Sequence, residues 1–260
     1  MMGRFRILLL TTSLLAALPA AAADLQARLD WGARYAVSSP LAGVVREVAA
    51  HPGDLVDANQ LLFTLDTRRL RAEAQAVTAE IERLQLDLSE ADREVERAEE
   101  LYDRTLIAVR ELELARIQRA MAAARLARAQ AEQQRIRIDL EDSRIRAPAA
   151  GRILTVAVTV GEAISPTLTP PVLATLGSIN PMLAHATADA ELASRLEPGQ
   201  SVRVEVDSGE VYSGTISAVG WELEDIGFGP GYRIEARFAL PEAVQLRAGQ
   251  SARLRIGDAS

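Results

Sequence analysis

All 29 basic residues of this 260-residue chain are arginine. Without lysine no Schiff base can form, and no cofactor can be tethered through a lysine amide. There are no cysteines, which removes disulfides, thiolate metal ligands and a cysteine nucleophile. His51 and His185 stand far apart, neither with a second ligand at metal-like spacing, so each reads as a neutral surface histidine. Met1, Met2, Met121 and Met182 form no cluster of the kind that holds copper. Glu222, Glu224 and Asp225, beside Trp221, contain the paired carboxylates a glycosidase would need. "GFGPG" follows at once, so the group reads as an exposed acidic turn in a loop. No nucleophile with a base, no phosphate loop and no nucleotide fingerprint is present. The expectation is a protein with no catalytic residues, no metal ligands and no cofactor: not an enzyme.

Binding chemistry is bounded in the same way. A formal charge of −7 with no basic cluster gives no footprint for nucleic acid. At the start, Arg4 and Arg6 precede an apolar run from Ile7 to Leu18, and Ala21-Ala22-Ala23 offers a small-x-small cleavage site before Asp24. That is the layout of a cleavable signal peptide, and the run is short for a membrane span. An uncleaved inner-membrane anchor is the alternative. The mature chain is expected to be exported. Association with the inner membrane would come through a partner rather than a lipid anchor, since no cysteine exists to carry one.

The elements that would organise such a protein show first as an internal echo. "SPLAGVVREVAAHPGDLVDANQLLFTLD" from Ser39 is answered by "RAPAAGRILTVAVTVGEAISPTLTPPVLATLG" from Arg146. Pro40 and Gly43 match Pro148 and Gly151, and Gly53-Asp54 matches Gly161-Glu162. All four glycines are expected at tight turns needing positive φ. Two unrelated glycine-containing hairpins would be the plainer account, but the proline and Gly-acidic matches favour two halves of one β-domain.

Between the halves there is no proline from Pro52 to Pro148 and no glycine from Gly53 to Gly151, which suits long helix. Leu70, Ala74, Val77, Ile81, Leu84, Leu88, Ala91, Val95, Ala98 and Tyr102 keep an unbroken 4-3 spacing, a coiled-coil seam. After a reset at 104–108 a weaker seam follows: Leu112, Ala115, Arg119, Ala122, Leu126, Ala129, Gln133, Ile136 and Leu140. Two helices of roughly 35 residues, about 50 Å long, can pair antiparallel and return the chain to its point of departure. A parallel dimer broken at the turn is the alternative. Arg119 and Gln133, polar at inward positions, would set register or face neighbouring hairpins.

Past Gly177 come short alternating strands, a turn at Asp207-Ser208-Gly209-Glu210 and a short helix over 191–196. A second echo pairs "LEPGQSVRVEV" at 196–206 with "LRAGQSARLRI" at 246–256, placing Gly199 and Gly249 at equivalent turns. Six or so strands predict a small β-barrel. The expected fold is α+β, mostly β with a long helical hairpin. Its parts are a signal peptide (1–23), a β-sandwich in two halves (24–66 and 144–179), a coiled-coil hairpin (67–143) and a β-barrel (180–260).

In that order, and with "APAAGRI" at 147–153, "VGEAI" at 160–164 and "YSGTISAVG" at 212–220, the chain resembles the periplasmic adaptors, the HlyD-like membrane fusion proteins. The resemblance runs from about Val37 to Ile256, and it implies that the two-half β-domain is a lipoyl-like barrel-sandwich hybrid. It implies an adaptor that links an inner-membrane transporter to a TolC-type outer-membrane channel and assembles into a ring, usually a hexamer. The transporter would be of the resistance–nodulation–division type first, with an ABC exporter or type I secretion system as alternative. A structural coiled-coil envelope protein that transports nothing is the remaining alternative. The family's channel-docking signature falls on Arg97, Leu101, Ile107, Ala108, Leu112, Glu113 and Ala115, with Ala108 replacing the family serine and Glu113 its aspartate. Many adaptors continue into a fourth, membrane-proximal domain. Here the barrel is followed only by a few residues.

Overall fold

The computed structural model describes residues 23–166, 170–241 and 244–257. The signal-peptide reading rests on residues outside that set, apart from Ala23. The described residues divide into two compact units: those within 33–179 form one, and 23–32 join those within 180–257 in the other.

The first unit is a hybrid of two four-stranded sheets carrying a helical hairpin. Its strands are β2 (Arg34–Ser38), β3 (Gly43–Val48), β4 (Leu55–Val56) and β5 (Leu61–Leu65). After the hairpin come β6 (Arg144–Arg146), β7 (Gly151–Val156), β8 (Ala163–Ile164) and β9 (Val172–Gly177). The sheet orders are β2-β9-β7-β4 and β6-β5-β3-β8. Exchanging β2 for β6, β3 for β7, β4 for β8 and β5 for β9 turns one order into the other. Each half therefore gives two strands to each sheet, and neither half has a sheet of its own.

The echoed residues make the exchange. Gly53 N–H donates to Ile153 O and Gly161 N–H to Val45 O, both at 2.8 Å. Ile153 N–H donates to Asp54 O and Val45 N–H to Glu162 O, both at 2.9 Å. The acidic side chains repeat the symmetry, Asp54 accepting from His51 N–H at 2.8 Å and Glu162 from Thr159 N–H at 3.0 Å. Val45, Leu62, Phe63, Leu65, Ile153, Leu173, Ala174 and Leu176, contributed by both halves, are buried in one core.

The expected glycine geometry holds at Gly53 and Gly161, with φ of 96° and 89°, and at Gly199 and Gly249, with 94° and 90°. It fails at Gly43 and Gly151, which open strands β3 and β7. Close approach explains them instead. A Cβ on Gly151 would lie 2.4 Å from Gly177 O, and one on Gly43 would lie 3.3 Å from Leu65 Cδ1.

The hairpin leaves and re-enters between β5 and β6, neighbours in one sheet. Leu65 N–H donates to Ser143 O at 2.9 Å across the base. Its helices are α1 (Arg68–Asp103) and α2 (Val109–Asp142), paired antiparallel. Every α1 seam residue from Leu70 to Ala98 is buried or half-buried, while most of the other positions are exposed.

The second unit is a closed barrel of order β1-β10-β13-β12-β11-β14, with β1 at Ala23–Asp30, β10 at Met182–Ala188, β11 at Ser201–Val206, β12 at Val211–Asp225, β13 at Pro230–Phe238 and β14 at Ser251–Ile256. A short helix, α3 (Ala190–Ala193), is capped by Asp189. The sequence-based boundary places residues 24–32 with the lipoyl-like half, but β1 pairs with β10 and β14 and closes the barrel instead. Leu25, Ala27 and Leu29 alternate toward the barrel interior, and without β1 both neighbours would carry an unpaired edge. The second echo is again a mutual pairing, Arg203 standing opposite Arg255 and Val204 opposite Leu254.

Candidate functional site

The hairpin turn is built from the backbone outward. Thr105 N–H donates to Tyr102 O at 2.8 Å and Leu106 N–H to Leu101 O at 2.9 Å. That pair of bonds is a Schellman motif, with Thr105 left-handed at φ 60°. A β-branched residue there is uncommon, since glycine occupies this position at least steric cost. The chain then extends through Ala108, the N-cap of α2, at φ −78° and ψ 150° with no side-chain cap bond. Glu111 sits three residues on. Ala108-x-x-Glu111 is thus a capping box with its first member missing. The position of the family serine is a helix cap, and alanine leaves that cap unmade.

The seven sequence-predicted docking residues divide by burial. Leu112 is 5 % exposed and Ala115 half-buried, so both belong to the seam between the helices. Leu101 and Ile107 are half-buried where the seam meets the turn. Arg97, Ala108 and Glu113 are exposed, and Arg97 Nη1 is 2.8 Å from Glu94 Oε2 on its own helix. Only these last three, with the half-buried pair, present a surface.

Sequence reading missed the apolar residues that the turn puts outside. Leu106 and Val109 are 66 % and 53 % exposed. Leu114, Ile117 and Met121 continue along α2 as a second, unpartnered apolar stripe. Their i, i+3, i+7 spacing is the signal that would have found them. Tyr102, expected in the seam, is exposed, because Leu101 turns inward as α1 ends.

Arg119 and Gln133, expected at inward positions, are instead exposed and reach across the pair. Arg119 Nε is 2.6 Å from Asp92 Oδ1, and Gln133 Nε2 is 3.2 Å from Thr78 Oγ1. Arg116 Nη2 lies 2.8 Å from Glu99 Oε1. Exposed pairs of this kind add about 0–1 kcal/mol. Their larger effect is on register, since a one-turn slip would break all three.

The other candidate residues lie in the β-bodies of the two units, His51 in the hybrid and His185, Glu224 and Asp225 in the barrel. His51 is exposed beside Asp54 at 3.4 Å. His185 is not a surface residue: it is largely buried on β10, 4.0 Å from Glu235, and burial holds its pKa below the ordinary value while Glu235 opposes that. Glu224 and Asp225 end strand β12 rather than lying in a loop. Glu224 pairs with Arg233 at 2.8 Å and Asp225 accepts from Gly227 N–H at 2.8 Å. Among the described residues no group of three or more His, Asp or Glu side chains could hold a metal ion. No helix among them is long and apolar enough to cross a membrane.

A family model described as CzcB-like, barrel-sandwich hybrid domain matches residues 33–174. Among solved structures, the membrane fusion protein Spr0693 from Streptococcus pneumoniae R6 is 19% identical with a TM-score of 0.63, over 92% of this chain and 100% of that one. MacA from Actinobacillus actinomycetemcomitans is 17% identical with a TM-score of 0.63, over 90% and 78%. ZneB from Cupriavidus metallidurans is 24% identical with a TM-score of 0.53, over 90% and 97%. At these identities the likeness is one of fold. No curated protein matches in sequence.

Proposed function

The chain belongs to the CzcB-like barrel-sandwich hybrid family, the membrane fusion proteins (adaptors) of efflux systems, and we propose that it joins an inner-membrane transporter to a TolC-type outer-membrane channel across the periplasm. The transporter is of the resistance–nodulation–division type, and the working form is a ring, a hexamer in the pump. Transport then needs no reaction from this chain, only stiffness, reach and two docking ends.

The observation that carries this reading is where the hairpin is inserted. It interrupts the hybrid between its two repeats, at neighbouring strands of one sheet, so the β-body closes as if nothing intervened. The hairpin is thereby free to serve as an arm. Its turn presents Arg97, Ala108, Glu113, Leu106 and Val109, a polar-rimmed apolar end of the kind that docks between other helices. The missing cap at Ala108 gives a direct handle. Ala108→Ser should stabilise the tip by about 1 kcal/mol through the completed capping box. Hydrogen exchange at Glu111 and its neighbours would report the gain.

The test is photocrosslinking from position 108 of tagged protein in native envelopes, followed by affinity capture. An outer-membrane channel on the tip together with an inner-membrane transporter is the expected result, and the transporter's identity separates proton-driven from ATP-driven export. Capture of neither from folded, exported protein would overturn the adaptor reading.

A further inference from the structure

One end of the barrel carries a concentration of arginine for which the adaptor reading has no use. Where β1 begins and β14 stops, a cavity of about 590 Å³ opens among β1, β11, β12, β13 and β14. Strand register orders its polar lining into two rungs. In one, Arg237 of β13 stands opposite Thr215 of β12. In the next, Ser213 of β12 stands opposite Arg203 of β11, Arg203 opposite Arg255 of β14, and Arg255 opposite Asp24 of β1.

The charges do not cancel. Arg255 is satisfied, its Nη2 2.6 Å from Glu205 Oε2 and its Nε 3.7 Å from Asp24 Oδ1. Among the described residues no ion pair engages Arg203 or Arg237. Arg203 and Arg255 face each other directly, an arrangement that weakens strand pairing when nothing lies between the charges. In a chain of net charge −7, with 36 acidic residues available, two uncompensated guanidiniums converge on one concavity beside three hydroxyls, those of Ser201, Ser213 and Thr215.

We propose that this cavity is a binding site for a phosphoester anion. A guanidinium presents parallel N–H donors that match two phosphate oxygens, and Ser213 and Thr215 add hydroxyl donors from the adjoining strand. The volume is in the range of sites for whole small molecules, larger than a bare inorganic anion requires. The ligand therefore carries its phosphate on an organic group, either a soluble organic phosphate or a phospholipid headgroup. The site lies wholly within the barrel and does not depend on what the hairpin docks.

The experiment uses the full chain, its Arg203→Gln and Arg237→Gln variants, and Arg110→Gln on the hairpin as a control of equal charge change. Glycerol 3-phosphate binding is measured by calorimetry at low salt. Cosedimentation is measured with phosphatidylcholine vesicles with and without phosphatidylglycerol, so that only the anionic increment counts. Each arginine lost from the cavity should weaken binding about tenfold or more, with Arg110→Gln unchanged. Binding of glycerol 3-phosphate without the vesicle increment identifies a soluble ligand. The vesicle increment, with or without glycerol 3-phosphate binding, identifies the headgroup. Both arginines are exposed, so folding should survive, and unchanged thermal unfolding verifies it. If either variant unfolds, the other carries the test. No binding in either assay, or equal loss in Arg110→Gln, overturns the proposal.

Discussion

The hybrid and the barrel are each built on an internal repeat, and they differ in what the repeat recruits. In the hybrid the two halves need only one another: β4 pairs with β7, and β8 with β3, through matched hydrogen bonds. In the barrel the repeated strands β11 and β14 also pair with each other, but each loop closes onto a strand outside the repeat. Gly199 N–H donates to Ile216 O on β12, and Ile216 N–H to Gln200 O. Gly249 N–H donates to Leu29 O on β1, and Leu29 N–H to Gln250 O. β1 therefore does for β14 what β12 does for β11. A repeat thus announces its own turns and its mutual pairing, while a strand that completes it from elsewhere leaves no echo.

The largest effect expected from this comparison is at those two recruited residues. Leu29 and Ile216 are each 1 % exposed, so Leu29→Ala and Ile216→Ala should each cost about 2–5 kcal/mol. Denaturant unfolding of the barrel should give similar values for both. A much smaller cost for Leu29→Ala would make β1 a peripheral strand and break the analogy.

The halves of the hybrid should separate next. The methyl of Gly151→Ala would meet backbone, Gly177 O, whereas that of Gly43→Ala meets the movable end of Leu65. A loss of up to about 3 kcal/mol is expected for Gly151→Ala, and a change within about 1 kcal/mol of zero for Gly43→Ala. Equal losses would show that β3 is as tightly set against its neighbour as β7.

Smaller still are the loop carboxylates. Asp54→Ala and Glu162→Ala each delete an acceptor for one loop N–H, so each should cost about 1 kcal/mol. Similar values would confirm that the Gly-acidic dipeptides act alike in both halves.

The least effect is at the ends of the halves, where Asp66 follows Leu65 and Gly177 follows Leu176. Hydrogen bonds from Arg68 lower the Asp66 pKa from 3.8 to about 2. Its contribution is present above pH 3.8 and lost as pH falls toward 2. The group is exposed, so the effect is weak and screened by salt. Asp66→Asn should flatten the acid limb of stability in that window at low ionic strength, and the second half has no such dependence at Gly177.

The hairpin marks where sequence reading was strongest. A seam in α1 needs only the helical period, and every inward residue from Leu70 to Ala98 was legible from spacing. The turn was less so. Thr105 at positive φ and Ala108 as an uncapped N-cap depend on how two helix ends are joined over five residues, which periodicity does not encode. Of the seven docking positions, Leu112 and Ala115 are seam residues, because a motif states order along the chain and not which side of a helix faces its partner.

By itself, the sequence determined the local terms: the helices, through period and the absence of Pro and Gly; the left-handed turns at Gly53, Gly161, Gly199 and Gly249; and the pairing of like with like in each echo. Only the tertiary structure decided that β1 belongs to the barrel, that Gly43 and Gly151 are demanded by close approach rather than by φ, and that Arg203 and Arg237 share one cavity. These depend on which strands become neighbours. Strand pairing is non-local: its energy comes from groups far apart in the chain, and an alternating strand such as β1 fits many edges until closure of the barrel leaves it one.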